Sequence, residues 1–166
     1  MDANANANAN INAGTDPTTP TVPVDESAPV VVRLSTTIAA PLDRIWRLHT
    51  DIDGWADWNP DVTRAALDGP LAPGVAFHWL THGLDITSTV LQIVPGARIV
   101  WGGPAQGIEG VHVWTFVEEA DDTVTVRTEE SWAGAPVEAA PEELGGLLRQ
   151  SLEGWLGRLK ERAERG

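Results

Sequence analysis

His112 and Glu130 are the two residues of this chain best placed for acid–base chemistry. Both lie in segments that alternate. His112, Trp114 and Phe116 share one parity, and so do Val124, Val126, Thr128, Glu130 and Trp132. Successive side chains of a strand face opposite sides, so each set occupies one face. The complementary set, Thr123, Thr125, Arg127, Glu129 and Ser131, is polar and suits an outer face. A three-residue hairpin loop at Ala120-Asp121-Asp122 places Phe116 opposite Val126, Trp114 opposite Thr128 and His112 opposite Glu130. A two-residue loop would mix the faces. The expectation is therefore an inward His112–Glu130 contact, with Cβ atoms roughly 5 Å apart. Such a pair could hold the imidazole cationic, orient a neutral imidazole as general base, or satisfy itself as a structural pair. As a catalyst it would suit enolisation or dehydration of a β-ketone.

Tryptophan is the other conspicuous residue: the chain has eight Trp, two Phe and no Tyr. Trp79, Trp101, Trp114, Trp132 and Trp155 fall on inner faces, whereas Trp46 and Trp58 read as core or lid packing. Each ring buries on the order of 150–250 Å² and its N–H needs an acceptor. Five converging indoles could wall a pocket for a flat apolar ligand, Trp79, Trp114 and Trp155 above all, or simply fill the space. Without Tyr there is no phenolic hydroxyl to serve as acid or oxyanion donor.

Other signals carry less. His78 and His82 are four apart, but on a strand that spacing spans ~13 Å, too far for one metal ion. Asp51-Ile-Asp53-Gly54 has its glycine at the wrong position for a calcium loop, and no Glu closes it. Gly102-Gly-Pro104 reads as a turn rather than a phosphate cradle, and Ser88 and Ser131 lack a nucleophile context. No cofactor or metal is expected.

The composition narrows the classes. The chain has 166 residues, 11 Lys+Arg against 24 Asp+Glu, and a formal net charge of −13, which argues against nucleic acid as a partner. The absence of cysteine removes thiolate chemistry, disulfides and cysteine-bound metals. Residues 1–28 alternate Ala and Asn, then turn Thr/Pro-rich, with Asp2, Asp16, Asp25 and Glu26 and no Lys or Arg. A disordered tail is expected there, because such a segment buries too little apolar surface to offset ordering entropy. It lacks the basic start and apolar run of a secretory signal, and no stretch suits a membrane span. A soluble cytoplasmic protein is expected; its oligomeric state is not legible.

The elements that must position these side chains follow from the remaining pattern. Ala28 to Ile38 reads as a strand. Pro41 opens a helix carrying Leu42, Ile45, Trp46 and His49, and a further short turn at Trp55–Trp58 stops before Asn59-Pro60. From Val62, short Val/Ile/Thr/Trp runs alternate with turn signals, so consecutive hairpins build an antiparallel sheet. Pro141-Glu-Glu143 opens a long helix with the stripe Leu144, Leu147, Leu148, Leu152, Trp155, Leu156 and Leu159. It alone can cover a sheet of about seven strands, giving an α+β architecture. Gly145, Gly146, Gly154 and Gly157 of this helix imply close approach of the sheet or space left for something else.

This order resembles the helix-grip fold of the START-like superfamily, or SRPBCC proteins. Pro41-Leu-Asp-Arg-Ile-Trp46 and Trp55-Ala-Asp-Trp58-Asn59-Pro60 are similar to the family's opening helix and turn. Phe77-His-Trp79, Ile86-Thr-Ser88, Val94-Pro95, Ile99-Val-Trp101-Gly102, His112-Val-Trp114 and Glu129-Glu-Ser-Trp132-Ala-Gly134 resemble its successive strands, those of the polyketide cyclase/dehydrase-like subgroup in particular. The resemblance spans residues 30–164 and implies a START-like domain over 29–166. It also implies an interior cavity between sheet and C-terminal helix for a lipid, aromatic or polyketide-like molecule. The side chains expected to line it are Phe77, Trp79, Ile86, Ser88, Trp101, His112, Trp114, Glu130, Trp132, Leu148, Leu152 and Trp155. The alternative is a cofactor-independent cyclase or dehydratase using His112 and Glu130.

Overall fold

Seven β-branched, aromatic-rich segments of the chain pair only with antiparallel neighbours, in the order β1-β7-β6-β5-β4-β3-β2. The computed structural model describes residues 20–166. β1 (Val30–Ile38) leads into α1 (Leu42–Thr50) and a 3₁₀ helix (Ile52–Asp57). Five hairpins then join β2 (Val62–Leu67), β3 (Ala76–Thr81), β4 (Leu84–Val94), β5 (Arg98–Ala105), β6 (Ile108–Glu118) and β7 (Val124–Ala133). A short α2 (Ala135–Ala139), which the sequence reading did not anticipate, precedes the 25-residue α3 (Pro141–Arg165). The curved sheet around α3, with short helices after the first strand, is the helix-grip fold expected.

The β6–β7 register is the one that face parity requires: His112 opposite Glu130, Trp114 opposite Thr128, Phe116 opposite Val126. The three-residue tip is closed by the Glu119 N–H donating to the Thr123 carbonyl. Elsewhere parity alone would mislead. The β4–β5 register shifts between Val90 and Gln92, leaving Leu91 exposed. This bulge bends the sheet and lets both Val90 and Ile93 reach the core.

Residues 20–25 lie against the sheet. The Val22 N–H donates to Gln92 Oε1 at 3.1 Å, Arg98 Nη2 donates to the Val22 carbonyl at 2.6 Å, and the Asp25 N–H donates to Ser131 Oγ at 2.9 Å. Val24 is buried with Val100 and Val113. Packed structure therefore begins before residue 29, and Ser131, expected outside, is covered. The expected tail over residues 1–19 lies outside the described residues.

Along α3 the apolar stripe divides. Leu156, Leu159 and Ala163 sit in the main core with α1 and the sheet, while Leu148 and Leu152 pack with Val30, Val32 and Val137. Leu147, expected in the stripe, is 54% exposed because the sheet does not reach it. Three of the four helix glycines do not mark close approach: an added Cβ at Gly146 or Gly157 meets nothing, and at Gly145 only Val30 at ordinary distance, whereas at Gly154 it would crowd Arg158.

Candidate functional site

The interior between sheet and α3 has two unlike halves. Toward α1 it is filled by rings. His49 lies 4.4 Å from Trp114 and 5.4 Å from Trp101, centroid to centroid, and Trp55 packs on Phe77, Trp79, Trp101 and Trp155 at 5.0–5.8 Å. The Trp55 N–H donates to the His49 carbonyl at 2.8 Å. Both His49 ring nitrogens and the Trp114 N–H find no hydrogen-bond partner. Burial alone pushes the His49 imidazole down to about 3, so it is neutral at physiological pH.

Toward the β3–β4 and β5–β6 turns the same interior is hollow. A cavity of about 760 Å³ lies between β3–β7 and residues 144–158 of α3. Trp79, Ile86, Ser88, Trp101, His112, Glu130, Trp132, Leu148, Leu152 and Trp155 all line it. Phe77 and Trp114, expected on its wall, do not. Their faces are correct, but they lie where rings close the space, Phe77 against Trp55 and Trp101, Trp114 against His49. Strand parity selects a side of the sheet and says nothing about position along it.

Part of the hollow comes from missing side chains. Gly102, Gly103 and Gly110, adjacent on β5 and β6, border the cavity. A Cβ on Gly102 would lie 2.4 Å from the Gly110 carbonyl oxygen, so the two strands also require glycine there. At the mouth, Leu84 is 43% exposed beside the two-residue turn His82-Gly83, whose residues both take positive φ. Leu147 faces the same opening from α3. Part of the rim is polar. Arg158 donates to Asn59 at 3.1 Å and pairs with Asp61, whose Oδ2 is 4.0 Å from His82. Asp61 and Arg158 gave no signal in the sequence, and His82 only half of a rejected metal pair, because their roles depend on which turns converge. His78, by contrast, is exposed and engaged with Thr87 and Asp68.

The polar centre of the cavity is the expected pair. His112 Nδ1 is 3.3 Å from Glu130 Oε2, and His112 Nε2 is 2.8 Å from Thr128 Oγ1. The Trp132 indole N–H donates to Glu130 Oε1 at 2.8 Å. Burial, with nearby His49 adding to it, holds His112 well below its ordinary value, so the ring is neutral. Burial raises Glu130 to about 7, against the opposing Trp132 hydrogen bond. The Thr128 contact is a hydrogen bond, whereas Nδ1 and the Glu130 carboxyl stand at ion-pair distance without hydrogen-bond geometry.

Comparison with known proteins agrees with this architecture. Residues 29–164 match the family described as "polyketide cyclase / dehydrase and lipid transport". No curated protein matches the chain. Among solved structures, a hypothetical protein from Helicobacter pylori superposes with a TM-score of 0.74 at 17% identity, covering 87% of this chain and 98% of its own. A START superfamily protein from Mycobacterium smegmatis gives 0.68 at 14% identity, covering 81% and 97%. The Zhui aromatase/cyclase from Streptomyces sp. R1128 gives 0.68 at 18% identity, covering 81% and 93%. The chain belongs to the polyketide cyclase/dehydrase and lipid transport family and has the START-like fold.

Proposed function

We propose that this family member binds one small hydrophobic molecule, lipid-like, aromatic or polyketide-like, in the cavity between sheet and α3. The observation that carries this reading is the contrast in lining. About 760 Å³ is walled by the indoles of Trp79, Trp101, Trp132 and Trp155 and by Leu148 and Leu152, with His112 and Glu130 as buried polar groups and a polar rim at Asp61, His82 and Arg158. Pockets of this size and character, mostly apolar with a few fixed polar groups, suit drug-sized ligands. No described helix is long and apolar enough to cross a membrane.

Native mass spectrometry of freshly purified protein tests it. A stoichiometric apolar adduct is expected, and it should be absent from Ile86→Trp, in which an indole occupies the hollow. An adduct that persists unchanged in Ile86→Trp would place the ligand elsewhere.

A second reading is cofactor-independent cyclisation or dehydration, favoured by the buried His112–Glu130 contact on the cavity wall. His112 Nε2 is engaged by Thr128 and Nδ1 faces Glu130, so Glu130 is the group that would exchange a proton with substrate, and His112 would position it. His112→Gln separates the readings. Retained affinity with unchanged turnover of the bound molecule would eliminate the His112–Glu130 mechanism, and no turnover in the parent protein would eliminate the enzymatic reading.

A further inference from the structure

Resting on the reading that a hydrophobic molecule occupies the cavity, we propose that this molecule carries a cationic nitrogen, received by the Glu130 carboxylate and by the faces of the surrounding indoles. Glu130 is 15% exposed, lines the cavity, and among the described residues its only ion-pair partner is His112. Burial holds that partner toward its neutral form, so an ionised Glu130 has little counter-charge. A carboxylate accepts up to about four hydrogen bonds, and the Trp132 N–H supplies one here.

The other charged groups facing the cavity do not change this. From β6 there is only His112. From the β3–β4 turn there is His82, which faces Asp61. From α3 there is Arg158, which Asp61 and Asn59 already hold at the rim. β5 contributes Trp101 and glycines to the lining, and no charge. With Glu130 ionised the wall therefore carries one negative charge in excess, beside π faces that attract cations when water is excluded. The net charge of −13 enriches cations around the protein as a whole.

This reading fixes a sign. A bound ammonium replaces the proton that Glu130 otherwise takes up near pH 7, so binding below that pH must release a proton. A ligand that accepts a hydrogen bond through a carbonyl would need Glu130 protonated and would weaken as pH rises. A ligand carboxylate would face uncompensated repulsion.

Isothermal titration calorimetry on the full chain discriminates these with three probes of one shape: 2-(1-naphthyl)ethylamine, 2-(1-naphthyl)ethanol and 1-naphthylacetate. At pH 8 the amine should bind on the order of tenfold tighter than the alcohol, the acid weakest, as one desolvated charge pair implies. At pH 6, titrations in buffers of different ionisation enthalpy should show close to one proton released per amine bound. In Glu130→Gln, whose amide oxygen can still accept the Trp132 N–H, the amine-to-alcohol ratio should fall to near one and proton release should vanish. Equal binding of amine and alcohol at pH 8, or an amine preference that survives in Glu130→Gln, overturns the cationic-ligand proposal alone. Failure of all three probes to bind overturns it together with the receptor reading.

Discussion

The two halves of the interior are made of the same materials and behave as opposites. Each contains a buried histidine on an inner face surrounded by tryptophans. At the α1 end His49 is packed on all sides and its nitrogens are unpaired, as is the Trp114 N–H. At the other end His112 is held by Thr128 and Glu130, and the indole N–H groups of Trp79 and Trp132 reach Ser88 and Glu130. The histidine is left unsatisfied where the fold closes on itself and is partnered where it stays open. An orphaned buried group costs about 1–3 kcal/mol, so the filled half spends stability on dense packing. The hollow half spends packing on a site.

That contrast breaks most visibly on truncation. Trp114→Ala, in the filled half, should cost about 3–5 kcal/mol by urea denaturation, because the ring is fully buried. Trp132→Ala, on the cavity wall and partly exposed, should cost less than half as much while weakening ligand binding more. Equal stability losses would mean that the two ends are packed alike.

The two titratable groups should pull stability in opposite directions with pH. Glu130 has a folded value near 7, above its unfolded 4.5. Its contribution is fully present below 4.5 and is lost as pH rises through 7. Glu130→Gln should therefore gain on the parent protein across that window, by at most about 3 kcal/mol. His49 has a folded value near 3, below its unfolded 6.5. Its contribution is present above 6.5 and is lost as pH falls toward 3. His49→Phe should outlast the parent increasingly below pH 6.5, by about 2 kcal/mol at pH 5. Thermal melts of both variants from pH 4.5 to 8 check the two slopes.

The smallest effect sharpens the boundary of the site. Gly146→Ala and Gly157→Ala lie on α3 with open space around the added methyl, so each should stabilise by up to about 1 kcal/mol. Neither borders the cavity, so binding should not change. Gly154 does border it, and a Cβ there would press on Arg158 at 3.2 Å.

Much of this arrangement was legible in the chain, and the failures have physical causes. Alternation around His112 and Glu130 fixed one register, because the wrong loop length would turn polar residues inward. The long helix was legible from its leucine stripe. What parity could not supply was depth along the strand: Phe77 and Trp114 face inward but lie beyond the cavity. His49 gave no signal either, since a histidine at helical spacing looks the same whether it is partnered or not. The segment 20–25 carries only two valines, and its place on the sheet depends on Gln92, Arg98 and Ser131, far away in sequence.

The central claim is that one end of this interior admits an apolar molecule and the other does not. The indole N–H region of a ¹H–¹⁵N NMR spectrum tests it directly, with each tryptophan assigned by its Phe variant. On titration with 2-(1-naphthyl)ethanol, the resonances of Trp79 and Trp132 should shift strongly, while that of Trp114, in the filled half, stays in place. A spectrum in which all eight signals are unmoved, or all move together, would contradict the account.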